Sequence, residues 1–344
     1  MTNPNHPFLA ACRREKTSYT PVWLMRQAGR YMPEYRKLRA EFSFLDLCKR
    51  PDLAAEITIT PVNRLGVDAA ILFADILLIL EPMGLGLEYS KDDGPVIDAH
   101  IRSRTDVEQL QEFEPEEALS YVMETVRMSR AALGGKVPLI GFSGAPFTLA
   151  SYIVERGGSR NYLLTKKLIY SDPGAWRALM ERLSTAVGKY LNAQIAAGAD
   201  AVQLFDSWAG CLSPDDYQKY VLPYTRATIA AITPGTPVIH FSTGTAGMLK
   251  LVKEAGGDVI GLDWRIHLDQ GWAQIGYDVG IQGNLDPAAL LASPKQIRLG
   301  VEEILKRAAG KPGHIFNLGH GVLPETPVDH VIAMVEAVHE LSAR

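Results

Sequence analysis

Pro21-Val-Trp-Leu-Met-Arg-Gln-Ala-Gly-Arg-Tyr31 passes from an apolar run to two arginines four positions apart. Pro21 can open a strand but cannot sit within a central one, and the apolar residues that follow suit a buried strand. Arg26 and Arg30 flank Gly29, where the missing side chain lets the backbone approach another group closely. Guanidinium forks match carboxylates, so a strand that runs straight into them predicts a mouth that captures an anionic ligand. Taken singly, each arginine also fits an ordinary ion pair on a solvated surface. The weight lies in how often the pattern returns along the chain.

Working outward, apolar strands are predicted at 21–26, 68–75, 138–142, 201–205, 237–241, 258–262, 280–282 and 314–317. Helical patterns lie between them at 51–65, 115–133, 147–156, 172–198, 215–232, 246–254, 295–309 and 327–342. Pro51 suits a helix start and Gly66 a helix end, while Pro61 should kink or restart that helix. Residues 1–20 read as a short N-terminal extension, and 81–104, with Gly84, Gly86, Gly94 and Pro95, as an excursion built on a small hairpin. Continuous apolar strands separated by amphipathic helices imply a parallel sheet covered on both faces. Eight such units predict an α/β fold, a single (β/α)8 TIM barrel over 1–344, with its active site at the C-terminal ends of the strands. An open doubly wound sheet is the other candidate, but no glycine fingerprint follows the first strand.

The chain has 344 residues, 47% of them hydrophobic, enough for a large core. Its 35 Lys and Arg against 39 Asp and Glu give a net charge of −4, with no basic half to suggest nucleic-acid binding. The three cysteines, Cys12, Cys48 and Cys211, are far apart and form no CxxC pair, which fits reduced thiols and offers no zinc site. The N-terminus lacks the charged and apolar regions of a signal peptide. The longest apolar stretch, 69–80, is broken by Asp75 and is too short to span a bilayer. These features predict a soluble cytoplasmic protein with no membrane partner.

Each predicted strand exits into polar residues. Arg26 and Arg30 follow the first and Asp75 ends the second; Ser143-Gly-Ala-Pro-Phe147 follows the third, and Asp206-Ser207-Trp208 the fourth. Ser242-Thr-Gly244, Asp263-Trp264, Gln282-Gly-Asn284 and Asn317-Leu-Gly-His320-Gly321 complete the set. Individually Asp75, Asp206 and Asp263 could cap helices and His320 could merely pack in a glycine-flanked turn. Together they make a ring where a barrel places its chemistry.

A zinc hydrolase or methyltransferase needs His or Cys ligands at metal spacing, and none is visible. A Schiff-base enzyme needs a lysine at a strand end, which no predicted strand carries. Gly141-Phe-Ser143-Gly-Ala145 approaches a nucleophile elbow but ends in alanine, and the chain order Ser143, Asp206, His320 lacks the helix-start and oxyanion context of a hydrolase. What remains is a cofactor-free, metal-free site with arginines for carboxylates, one carboxylate in an apolar bed at Asp75, and Tyr152 and Ser207 as hydroxyl donors.

Met25-Arg-Gln-Ala-Gly-Arg-Tyr-Met-Pro-Glu-Tyr35 resembles the N-terminal signature of the uroporphyrinogen decarboxylase family, and Gly141-Phe-Ser-Gly-Ala-Pro-Phe-Thr-Leu149 its second signature. Phe73-Ala-Asp-Ile-Leu77, Gln203-Leu-Phe-Asp-Ser-Trp-Ala-Gly210, Gln282-Gly-Asn-Leu-Asp286 and Asn317-Leu-Gly-His-Gly321 are similar to further family blocks. The resemblance covers nearly the whole chain. It implies a (β/α)8 barrel, usually a homodimer, that removes carboxyl groups from the acetate side chains of uroporphyrinogen III to give coproporphyrinogen III, without metal or prosthetic group. It further implies that Arg26 and Arg30 bind substrate carboxylates on a loop shaped by Gln27, Ala28 and Gly29. Asp75 would accept from the pyrrole N–H groups and stabilise the cation formed on the ring. Tyr152, Ser207 and His320 would bind or orient acetate and propionate groups. The chemistry is self-consistent, because a protonated pyrrole can itself take up the electron pair left by CO₂. A corrinoid-linked methyltransferase of the same barrel type and a non-catalytic tetrapyrrole-binding protein are the alternatives.

Overall fold

The computed structural model describes residues 3–90, 94–98 and 101–344; parts of the expected extension (1–2) and excursion (91–93 and 99–100) lie outside them. Its strands are β1 (Ala70–Ile71), β2 (Gly86–Ser90), β3 (Gly94–Asp98), β4 (Leu139–Gly144), β5 (Ala201–Asp206), β6 (Val238–Ser242), β7 (Val259–Gly261), β8 (Gly280–Gln282) and β9 (His314–Ile315). Seven of them form one parallel sheet in the order β1-β4-β5-β6-β7-β8-β9. The register places Ala70 beside Leu139, Ile140 beside Ala201, Val202 beside Val238 and Ile239 beside Val259. Parallel neighbours require long crossovers, and helices such as Pro146–Glu155, Pro173–Ala197 and Pro294–Ala308 supply them. The sheet is buried along almost every strand, which is why its strands read as unbroken apolar runs.

The strand predicted at 21–26 is the main correction. Within 21–26 only Val22 takes strand geometry, as a single parallel bridge to Phe316. Around it, Phe316 N–H donates to the Pro21 carbonyl (2.8 Å) and Trp23 N–H to the Phe316 carbonyl (3.3 Å), while Asp68 N–H donates to the Val22 carbonyl (2.7 Å). Beyond Trp23 a side chain replaces the ladder. The buried Gln27 amide accepts from Leu24 N–H (3.0 Å) and donates to the Ala69 carbonyl (3.0 Å). The chain then turns, with Arg26 in the left-handed region at φ 59°.

Other boundaries moved for local reasons. β1 is shorter than 68–75, because Phe73 N–H is taken by the Thr58 hydroxyl (2.9 Å) rather than by a neighbouring strand. The helix Pro51–Leu65 runs through Pro61 without the expected restart. Burial of Ala54, Ile57, Thr58, Pro61 and Leu65 holds it together across the missing N–H. Conversely, 215–232 divides into Pro214–Tyr220 and Leu222–Ala230 at Val221, just ahead of Pro223. The 115–133 pattern also divides, into Pro115–Ala118 and Ser120–Leu133. The expected hairpin is present as β2 paired antiparallel with β3. It is tied to the main body by Ile97 N–H donating to the Arg156 carbonyl (3.2 Å) and by a bridge from Val96 to Gly157.

Candidate active site

Asp75 follows β1 by four residues, at the end of the sheet where the strands finish. Leu77 N–H donates to its carboxylate at 2.8 Å, a turn closed by the side chain two residues back. The Tyr89 hydroxyl on β2 donates to the same carboxylate. Tyr89 is held by edge-on contact with Phe44 (centroids 4.9 Å apart), which in turn contacts Phe73 (5.9 Å). The Asp75 carboxyl is raised above its ordinary value, first by burial in this apolar surround. The Leu77 N–H, the Tyr89 hydroxyl and the charge of Arg26 act against that burial. Asp75 remains partly exposed to the cleft. It is thus an acid that resists ionisation through desolvation and is helped back by three specific partners.

Arg26 is exposed, and its stem lies directly on Gly321: a Cβ there would stand 2.6 Å from the arginine Cδ. The loop that carries it is fixed by the Gln27 amide and by the Tyr31 hydroxyl donating to the Gln27 carbonyl (2.7 Å). Gly29 lies where a Cβ would come within 2.8 Å of the Arg26 carbonyl oxygen, and Ala28 is half-buried beside it. Arg30 is exposed, and its charge is felt by Tyr35.

Tyr152 feels the charges of both Asp75 and Arg26. Its hydroxyl is pushed up to about 12 by burial and by the charge of Asp75, opposed by Arg26 and by a hydrogen bond from Trp208. Its ring meets Trp208 edge-on at 5.8 Å. Ser207 is half-buried at the exit of β5, and its hydroxyl has no partner among the described residues. His320, in the turn after β9, is pushed down to about 4 by burial and by the charges of Arg26 and Arg265, against the pull of Asp263. It is therefore neutral near pH 7 and able to donate one hydrogen bond and accept another. Asp75, Arg26, Tyr152 and His320 are thus joined electrostatically, whereas no such link connects Arg30 to Asp75 among the described residues.

The hydrolase-like trio does not assemble. The Ser143 hydroxyl donates to the Gly144 carbonyl (3.1 Å), and Asp206 accepts from the Thr148 hydroxyl (3.1 Å). No hydrogen bond joins either of them to His320 among the described residues. Nor do three His, Cys, Asp or Glu side chains cluster there as metal ligands. Two contributors were missed in the sequence. Tyr89 lies in the hairpin, where nothing local distinguishes it from any other strand tyrosine. Arg265 stands one residue past the Asp263-Trp264 exit, and extending each exit by one position would have found it.

The family model described as uroporphyrinogen decarboxylase (URO-D) matches residues 3–341. A uroporphyrinogen decarboxylase from Carboxydothermus hydrogenoformans is 57% identical over 98% of this chain and 97% of its own length. Another, from Sorangium cellulosum, is 56% identical over 97% of this chain and 96% of its own. Among solved structures, a methyltransferase from Methanosarcina mazei superposes with TM-score 0.80 over 99% of both chains at 20% identity, a likeness of fold alone. No helix among the described residues is long and apolar enough to cross a membrane.

Proposed function

The chain belongs to the uroporphyrinogen decarboxylase family, and from that premise we propose how its cleft performs the reaction. The protein is a carboxy-lyase of porphyrin and heme biosynthesis that converts the four acetate side chains of uroporphyrinogen III to methyl groups, giving coproporphyrinogen III. The observation that supports the residue-level reading is that the charges of Asp75 and Arg26 act on each other and on the Tyr152 hydroxyl, with Asp75 supported by Leu77 N–H and Tyr89.

Loss of CO₂ leaves an electron pair that needs an acceptor. In a pyrrole, a proton added to the ring carbon next to the one bearing the acetate makes a cation conjugated to the scissile bond. The C–CO₂ pair then flows into the ring, leaving an exocyclic methylene. A second proton converts that methylene to methyl, and the first leaves the ring carbon. Each acetate therefore consumes one proton net and releases one CO₂. Asp75, as a carboxylate in a largely dry site, accepts from the pyrrole N–H groups and stabilises the cation more strongly than water would. Arg26 and Arg30 hold acidic side chains, while Tyr152, Ser207 and neutral His320 orient others.

The residues at 21–23, bonded to Phe316 on one side and Asp68 on the other, support reading that segment as an eighth stave closing a (β/α)8 barrel of one domain. A homodimer in the cytoplasm completes this reading. The test is incubation of the purified protein with uroporphyrinogen III under anaerobic conditions, with a chelator and no added cofactor. Stepwise appearance of products down to the tetracarboxylate is the expected result, and unchanged octacarboxylate would overturn it. Binding without turnover would instead favour a tetrapyrrole carrier.

A further inference from the structure

Arg265 is only partly engaged by its own chain. Its guanidinium donates to Asp263 (2.6 Å) and lies over the Trp264 ring at 4.1 Å from the centroid, yet its side chain is 52% exposed. Asp263, by contrast, is buried and already accepts from Gly244 N–H (2.7 Å) and Arg265 N–H (3.0 Å). The carboxylate is therefore anchored by two backbone N–H groups as well as by the arginine head. The loop beneath is rigid, since the Asn284 amide donates to the carbonyls of both Asp263 (2.8 Å) and Ile266 (2.7 Å).

Its neighbours give the direction. Gly319 has no room for a side chain, because a Cβ would stand 2.3 Å from Trp264 N. Gly321, two residues on, carries the stem of Arg26. The turn that presents His320 is therefore clamped between the Arg26 loop and the Trp264–Arg265 loop, and His320 feels both arginines. The rim of the cleft runs Arg26, His320, Arg265.

We propose that Arg265 is a further substrate-binding residue, a pre-positioned fork on the side of the cleft across His320 from Arg26 that takes a carboxylate of the macrocycle. This rests on the decarboxylase reading above. Asp263 and Trp264 restrain the side chain before binding, so little rotamer freedom is lost when the carboxylate arrives, and the guanidinium N–H groups not used by Asp263 remain to donate.

The test compares wild type with Arg265→Gln and Arg265→Lys on uroporphyrinogen III at low and high salt. Arg265→Gln should raise KM about tenfold, as expected for one lost charge-assisted contact, with kcat and melting temperature nearly unchanged and with a weaker salt dependence of KM. Arg265→Lys should fall between the two, keeping the charge but not the fork. An unchanged KM in Arg265→Gln would overturn the assignment. So would a rise that is the same at both salt concentrations and accompanied by a lowered melting temperature, because that would mark a structural role. If wild type itself leaves uroporphyrinogen unchanged, the functional reading fails rather than this one.

Discussion

Asp75 and Asp206 stand at the tips of strands separated only by β4, in the same sheet, and they have opposite surroundings. Asp206 is fully buried, takes one hydrogen bond from Thr148, and leaves Oδ2 without a partner among the described residues. Burial raises its carboxyl to about 7. Asp75 is raised by burial too, but Leu77 N–H, Tyr89 and Arg26 work against it, and it opens to the cleft. A strongly displaced titration marks candidate functional groups, and on that criterion alone Asp206 would be chosen. The criterion needs geometry beside it: Asp206 is sealed in the core and keeps a proton well above the ordinary carboxylate range, while Asp75 has both partners and access.

Exchanging each acid for its amide puts the comparison at greatest risk. Asp75→Asn keeps the shape and removes the charge, and kcat should fall on the order of a hundredfold or more, the scale of losing one key electrostatic group. Asp206→Asn should leave kcat at pH 7 within about twofold, the scatter of changes that touch no reacting atom. Steady-state assays of the two variants decide it. The contrast collapses if Asp206→Asn is the more damaging.

Arginine substitutions test the same contrast on the cationic side. Arg26→Gln should raise KM at least about tenfold, one charged contact's worth, and lower kcat as well, since Arg26 also acts on Asp75. Arg30→Gln should raise KM by less and leave kcat alone, since Arg30 is not among the charges that act on Asp75. Equal effects on kcat would mean that both arginines reach the reacting ring.

Tyr89→Phe is a finer probe, because it keeps the ring against Phe44 and removes only the hydroxyl that donates to Asp75. That hydrogen bond favours the carboxylate, so without it the Asp75 carboxyl rises further and the acid limb of kcat/KM moves to higher pH. A loss of about fivefold on that limb, about 1 kcal/mol, with little change on the alkaline side, is the expected profile. An unmoved acid limb would remove Tyr89 from the site.

Tyr89 also marks where sequence reading stops. The strand exits were legible because a buried parallel strand must be apolar and its exit polar, and Asp75 and His320 lie in the segments that follow β1 and β9. The loop residues Gln27 and Gly29 were legible from the stretch 21–31. Tyr89 was not, since its approach to Asp75 depends on how the hairpin lies against Phe44 and Gly157, contacts remote in the chain. The failed strand at 21–26 has a similar cause. Its apolar residues obey the pattern, but Gln27 returns to Leu24 and Ala69 and ends the ladder early. Pro61 misled in the other direction, because tertiary burial outweighed a local helix-breaking rule.

The smallest effect on activity comes with a clear effect on stability. The folded-state Asp206 carboxyl sits at about 7, against an ordinary 3.8. Between those values the native state holds a proton that the unfolded chain releases, so the native state binds more protons and its stability falls as pH rises through that window. Below about 4 both states are protonated and the cost is absent; above about 7 both are ionised and it is complete. The cost accrues at up to about 1.4 kcal/mol per pH unit. An asparagine at this position can still accept from Thr148 and does not titrate. Melting curves of Asp206→Asn should therefore lose a pH-dependent decline that wild type shows between pH 4 and 7, with the two proteins differing most above neutrality. If the slopes coincide, Asp206 is already ionised in the folded protein, and its silence in catalysis would need a cause other than neutrality.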